Sequence, residues 1–173
     1  MILVRRAVRA SRRVALENYF TRPTPCGRLP YTPQSETHMT PFITRLNPPS
    51  LPDAGAAGYS QISIVEPSRL AFISGQVAWR RSGEPVPDSL AGQAEIVVSN
   101  ARAALHAVGA SPKDLVMVRV YLADLTPRRL EELWPHIHAL FDGAQPSLTG
   151  VGVAGLASPE LQLEVEMIVR LPT

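Results

Sequence analysis

Eight of the chain's 17 prolines (Pro23, Pro25, Pro30, Pro33, Pro41, Pro48, Pro49 and Pro52) fall between residues 21 and 52. Each fixes φ and removes a backbone donor, so this stretch is expected to be extended and poorly packed, and a folded domain has to lie beyond it. The expected division is therefore a head, 1–54, and one domain, 55–173. With 173 residues and 45% apolar content, the chain can bury a single core of ordinary size.

Charge divides at the same place. Residues 1–40 carry seven Arg against Glu17 and Glu36, net +5, whereas residues 41–173 carry 10 basic and 13 acidic side chains, net −3. A slightly acidic domain offers no basic stripe to a phosphate backbone, so no nucleic-acid partner is expected. No apolar run reaches the roughly 18 residues of a membrane-spanning helix, so no span is expected. Cys26 is the only cysteine. It can form neither an internal disulfide nor a thiolate cage, which fits a reducing compartment.

At 100° per residue, Leu3, Val4, Ala7, Val8, Ala10, Val14 and Ala15 share one side of a helical wheel, with Arg5, Arg6, Arg9, Arg12 and Arg13 opposite. This pattern predicts a basic amphipathic helix. It reads as an upstream extension without a role, placing the protein in the cytoplasm, or as an organellar presequence, placing it in mitochondria, or as a membrane-surface anchor.

Beyond residue 55 the pattern predicts strands over 59–65 and 69–78, separated by Glu66-Pro67-Ser68. A helix over 90–108 follows, capped by Asp88 or Ser89 and ended by Gly109. Residues 115–123 read as a strand, and Thr126-Pro127 starts a second helix reaching about Phe141, with a kink or restart at Pro135. Strands over 148–154 and 161–170 complete the order ββαβαββ. This is an α+β sandwich with two helices on one face of a mostly antiparallel sheet. In the last strand Leu163, Val165, Met167 and Val169 should meet the helices, leaving Gln162, Glu164, Glu166, Ile168 and Arg170 on the other face. Two helices cannot cover both faces, so the other face is either wet or covered by a second copy of the chain, and apolar members such as Ile168 favour coverage.

Few motifs survive inspection. Gly150-Val151-Gly152-Val153-Ala154-Gly155 spells a dinucleotide fingerprint, but Ser158-Pro159 and another strand follow where a helix should open. His136 and His138 diverge on a helix and read as solvated side chains, not metal ligands. Glu164 and Glu166 share one strand face; they are either an ordinary solvent-facing pair or the place where one carboxylate handles protons.

Tyr59-Ser60-Gln61, Phe72-Ile73-Ser74-Gly75-Gln76, Gln93, Asn100, Gly109-Ala110, Val120 to Leu125, Phe141, Pro146-Ser147 and Leu163-Glu164-Val165-Glu166 together resemble the reactive intermediate deaminases, the RidA or YjgF proteins. The likeness covers about residues 55–171. It implies a chorismate-mutase-like α+β fold, a homotrimer with three clefts between subunits, and no metal or organic cofactor. It also implies hydrolysis of enamine or imine products of amino-acid metabolism to keto acids and ammonia.

In that family an arginine in a P-x-R-[ST] segment grips the substrate carboxylate, and the first glutamate of the last strand directs water. The glutamate corresponds to Glu164, but Leu148 stands at the arginine position. A bidentate Arg–carboxylate bond contributes about 1.5–3 kcal/mol, so its loss should cost about tenfold to hundredfold on a carboxylated imine. Gly150 replaces a frequent cysteine, and Trp134 stands near a frequent asparagine. The resemblance thus implies a site of Glu164 as catalytic base with Tyr59, Ser74, Trp134, Leu148 and Gly150 around an uncharged or aromatic small-molecule ligand; Trp134 reads alternatively as a packing residue, Tyr59 as structural, and Ser74-Gly75-Gln76, where glycine permits close backbone approach, as shaping the fold. The same departures also suit a non-catalytic binding or regulatory trimer.

Overall fold

A computed structural model describes residues 42–172. The predicted head helix and the stretch before Phe42 lie outside the described residues. Nine elements follow in chain order: β1 (Ile43–Leu46), β2 (Ile62–Val65), β3 (Leu70–Gln76), α1 (Leu90–Ala107), a 3-10 turn (Pro112–Asp114), β4 (Leu115–Ala123), α2 (Pro127–Phe141), β5 (Ser147–Val153) and β6 (Leu163–Arg170). The main sheet has the order β3-β6-β4-β5. Only β4 and β5 run parallel, joined through α2; β6 is antiparallel to both β3 and β4.

The expected α+β layering is present, with one correction to the strand order. β1 precedes every strand read from the sequence and lies inside the stretch expected to pack poorly. Ile43-Thr44-Arg45-Leu46 pairs antiparallel with β2. The Arg45 guanidinium donates to the carbonyls of Leu115 at 2.8 Å and Gln145 at 2.9 Å. Its half-burial holds its pKa below the ordinary arginine value through desolvation. The flanking Pro41 and Pro48 disguised this strand, because proline density says where backbone donors are missing and not what a four-residue run between prolines can pair with.

Helix ends follow their residue chemistry. Ser89 Oγ accepts from the Gly92 amide at 3.2 Å, and Gly109 takes φ +69° just after α1. Thr126 Oγ1 accepts from the Arg129 amide at 3.3 Å, with Pro127 at the first helical position. No restart occurs at Pro135: α2 runs through it as one helix. Pro135 is exposed, so the carbonyl its ring deprives of a partner is on the water side of the helix.

The core lies between the two helices and one sheet face. Val97, Ala101, Leu105, Leu133, Ile137 and Leu140 from the helices meet Val118, Leu122, Leu163, Val165 and Met167, all essentially without solvent contact. Gln93 is as deeply buried, yet its amide is fully used. It donates to Pro87 O and Glu160 O and accepts from the Gln162 amide, each at 2.8 Å. Asn100, also on α1, donates to Val77 O and Trp79 O at 2.9 Å. These two amides hold the chain just before β6 and just after β3, which sets those neighbouring strands against each other.

Candidate functional site

The expected alternation in β6 holds. Leu163, Val165, Met167 and Val169 are buried toward the helices, and Glu164, Glu166 and Ile168 are half-exposed on the second face. Arg170 departs from a wet face, being only 4% exposed: it stacks on Phe42 at 3.8 Å and lies 3.8 Å from Asp114. Cross-strand register brings Arg119 beside Glu166 and Tyr121 beside Glu164 on the same face.

This register separates the two glutamates chemically. Arg119 Nη1 donates to Glu166 Oε1 at 2.5 Å, and Tyr121 Oη donates to Glu166 Oε2 at 2.9 Å. Both oxygens of Glu166 are engaged, so it is a structural acceptor. The hydrogen bond to Glu166 is the main reason the Tyr121 hydroxyl titrates above its ordinary range; desolvation and the nearby carboxylates, Glu164 among them, act in the same direction, against Arg119. Glu164 makes no hydrogen bond or ion pair among the described residues. It is the one strand-face carboxylate with open acceptor sites.

Gly75 creates the place Glu164 occupies. A Cβ built on Gly75 would overlap the Glu164 carboxyl group. The pairing of β3 with β6 also shifts between Ile73 and Gln76, a bulge that removes Gly75 from regular register and gives the side chain room. Adjoining it is a concavity of about 340 Å³ lined by Phe72, Ile73, Ser74, Gly75, Glu166 and Met167, within the typical range of about 300–1,000 Å³ for small-molecule pockets. Ser74 and Glu166 line this concavity, whereas Glu164 adjoins it through Gly75, on which its carboxyl group sits. Phe72 is 75% exposed at the same rim.

The other anticipated site residues lie elsewhere. Leu148 pairs with Val118 and Gly150 with Val120, so both sit on the helix side of the sheet. Leu148 and Trp134 pack against the core, and the cavity they border with Gly150 is apolar and only about 30 Å³, too small for a metabolite. Within one chain the expected greasy wall and the Glu164 carboxylate are on opposite faces of the sheet. Tyr59 is half-buried in the loop before β2, beside Ser60, which bridges to Ser147 at the start of β5. That loop is clamped by α2. The His138 Nε2–H donates to Ala57 O at 3.1 Å, which fixes that protonation of the ring, and a Cβ on Gly58 would lie 2.7 Å from the ring. His138 is exposed, as expected of a solvated helix histidine, and its ring also stands 4.8 Å from the Trp134 ring.

The glycine run 150–155 lies mostly in β5 and opens no helix, as anticipated. Among the described residues there is no group of three or more His, Cys, Asp or Glu side chains able to hold a metal, and no helix is long and apolar enough to cross a membrane.

Sequence reasoning missed the Arg119–Glu166–Tyr121 arrangement and the role of Gly75. Arg119 and Tyr121 were visible on one strand face, but nothing local to either strand shows which glutamate they oppose.

Comparison with known proteins agrees with this architecture. Residues 51–171 match the family described as Endoribonuclease L-PSP. The yeast Saccharomyces cerevisiae protein MMF1, named as mitochondrial, is 32% identical over 132 residues, covering 76% of this chain and 84% of that protein. The crystal structure of YyfB, a Rid-family protein from Yersinia pestis, superposes with a TM-score of 0.71 at 32% identity, covering 75% of this chain and 99% of the other. RidA from an Antarctic Psychrobacter gives a TM-score of 0.55 at 29% identity, covering 65% and 88%.

Proposed function

This chain belongs to the Endoribonuclease L-PSP family, which holds the Rid and YjgF proteins, and on that premise we propose that it hydrolyses the C=N bond of an enamine- or imine-type metabolite with Glu164 as the water-directing base. The single observation that carries the reading is the Glu164 carboxylate, without a partner among the described residues and seated on Gly75, a residue that lines the concavity of about 340 Å³, while Glu166 is neutralised. Water held by Glu164 attacks the carbon of the C=N bond, the carboxylate receives the proton, and the resulting carbinolamine loses ammonia.

The site is proposed to be completed by assembly. Leu148, Gly150 and Trp134 can border the same ligand as Glu164 only if β5 of one copy lies against the open sheet face of another, which is the geometry of a homotrimer with clefts between subunits. Phe72 and Leu70 on the open face favour such coverage. Because Leu148 stands where the family's arginine grips a carboxylate, the preferred substrate is uncharged or aromatic. No metal, organic cofactor, nucleic acid or membrane takes part in this reading. The family description speaks of an endoribonuclease, yet a net charge of −3 over residues 41–173 supplies no phosphate-tracking surface.

The test is ammonia release from freshly generated imines, comparing the parent with Glu164→Ala. Faster release by the parent supports hydrolysis. A parent no faster than the variant, with saturable metabolite binding, leaves the second reading: a binding or regulatory trimer, which the leucine at position 148 favours. Location has two readings, cytoplasmic or mitochondrial, the latter supported by the name of the yeast relative. A reporter carrying residues 1–38 decides between them.

A further inference from the structure

We infer that the ligand of the Glu164 face is a carboxylate-free, cationic imine: the iminium formed when a primary amine, not an amino acid, is oxidised. This rests on the hydrolytic reading above: it keeps the absence of a substrate carboxylate and replaces an uncharged substrate by a cationic one.

Charge on the face leads to it. The three charged side chains in register on β4 and β6 are Arg119, Glu164 and Glu166, with formal charges +1, −1 and −1, net −1. Arg119 is committed to Glu166, leaving the negative charge of Glu164 uncompensated. Two further guanidiniums are engaged away from it. Arg170 is buried against Phe42 and Asp114, six residues along β6, about 20 Å from Glu164 at the usual strand rise. Arg129 Nη2 donates to Gln162 Oε1 at 2.7 Å. On the β4–β6 face a ligand carboxylate would therefore meet an unneutralised glutamate and no uncommitted cation in register, while a protonated imine would meet its counter-charge.

The rim supplies the second observation. Phe72 presents an aromatic ring that is 75% exposed beside the concavity, a surface that attracts a cation through its π face and an aromatic ligand through its area. At the family's carboxylate-binding position stands Leu148, so the other half of an assembled cleft adds no positive charge either.

The chemistry balances without an oxidant. Water oxygen bonds to the iminium carbon as the C=N π pair moves to nitrogen, and Glu164 takes the proton that water sheds. Glu164 returns that proton to the nitrogen, the C–N bond breaks, and the hydroxyl proton leaves with the departing amine as the carbonyl forms. Iminium plus water thus gives carbonyl plus ammonium. The reaction that must supply this substrate is the two-electron oxidation of a primary amine.

The decisive experiment uses the full chain and two imines that differ only in the carboxylate: one generated from phenethylamine by an amine oxidase, the other from phenylalanine by an amino-acid oxidase. Ammonia release and imine decay are followed for both. A kcat/KM at least about tenfold higher for the phenethylamine product is expected. Equal or higher activity on the phenylalanine product overturns the inference and leaves the hydrolytic reading standing. Should neither be hydrolysed, the hydrolytic reading fails, and calorimetric titration with phenethylammonium and phenylpyruvate decides the ligand class. Tighter binding of the ammonium, weakened about tenfold in Glu164→Gln, supports it; no binding of the ammonium, or tighter binding of phenylpyruvate, overturns it.

Discussion

The carboxyl group of Glu164 occupies the space that a methyl group on Gly75 would fill. A glycine on β3 thereby determines where a charge on β6 can stand. Gly75 is not among the glycines with positive φ, so alanine is compatible with its backbone, and the displaced atoms are the far end of a flexible side chain.

Gly75→Ala should therefore fold and swing the Glu164 carboxylate away. The expected outcome is an unchanged circular dichroism spectrum, an unfolding free energy within about 1 kcal/mol of the parent, and imine hydrolysis at least about tenfold slower. Normal turnover in a folded Gly75→Ala protein would mean that the carboxylate position seen here is not the working one.

Gln93→Leu keeps the volume of a fully buried side chain but leaves Pro87 O, Glu160 O and the Gln162 amide without their partner. Denaturant unfolding should show a loss of about 2–4 kcal/mol, because orphaned buried polar groups cost more than the lost bonds themselves. A loss below about 1 kcal/mol would show that water replaces the amide.

Tyr121 supplies a pH prediction. Its hydroxyl donates to Glu166, so the neutral form is favoured in the folded state and the folded pKa is raised. The stabilisation is fully present below the unfolded tyrosine pKa of about 10 and is lost as pH rises through the folded value. Phenolate absorbance should show one late-titrating tyrosine that disappears in Tyr121→Phe and reverts toward the ordinary range in Glu166→Gln. An unaltered titration curve in Tyr121→Phe would contradict the hydrogen bond.

Phe72→Glu tests assembly. Phe72 is three-quarters exposed on the open sheet face, so a charge there should leave the monomer folded and displace the proposed trimer toward smaller species in sedimentation velocity. A parent that sediments as a monomer at working concentrations would remove the completed cleft from the proposal.

Local signals carried much of the fold. Ser89, Gly109 and Thr126-Pro127 marked helix ends because capping depends on residues a few positions apart. Likewise, the alternation from Leu163 to Val169 separated the core side of β6 from its open side, since a strand's period of two is a property of the strand alone. β1 was missed because its four residues acquire strand structure only by pairing with β2 and anchoring Arg45 on distant carbonyls.

The candidate site was legible in kind and not in arrangement. From the residues alone came a carboxylate on the open face of the final strand, and a leucine where relatives of similar pattern place an arginine. Tertiary structure decided which of two equivalent-looking glutamates is neutralised, that Gly75 seats the other, and that Leu148 faces the helices of its own chain. Those outcomes depend on the register of β6 against β4 and β3. Register is a non-local quantity: shifting it by one residue exchanges the faces, while every strand keeps the same sequence.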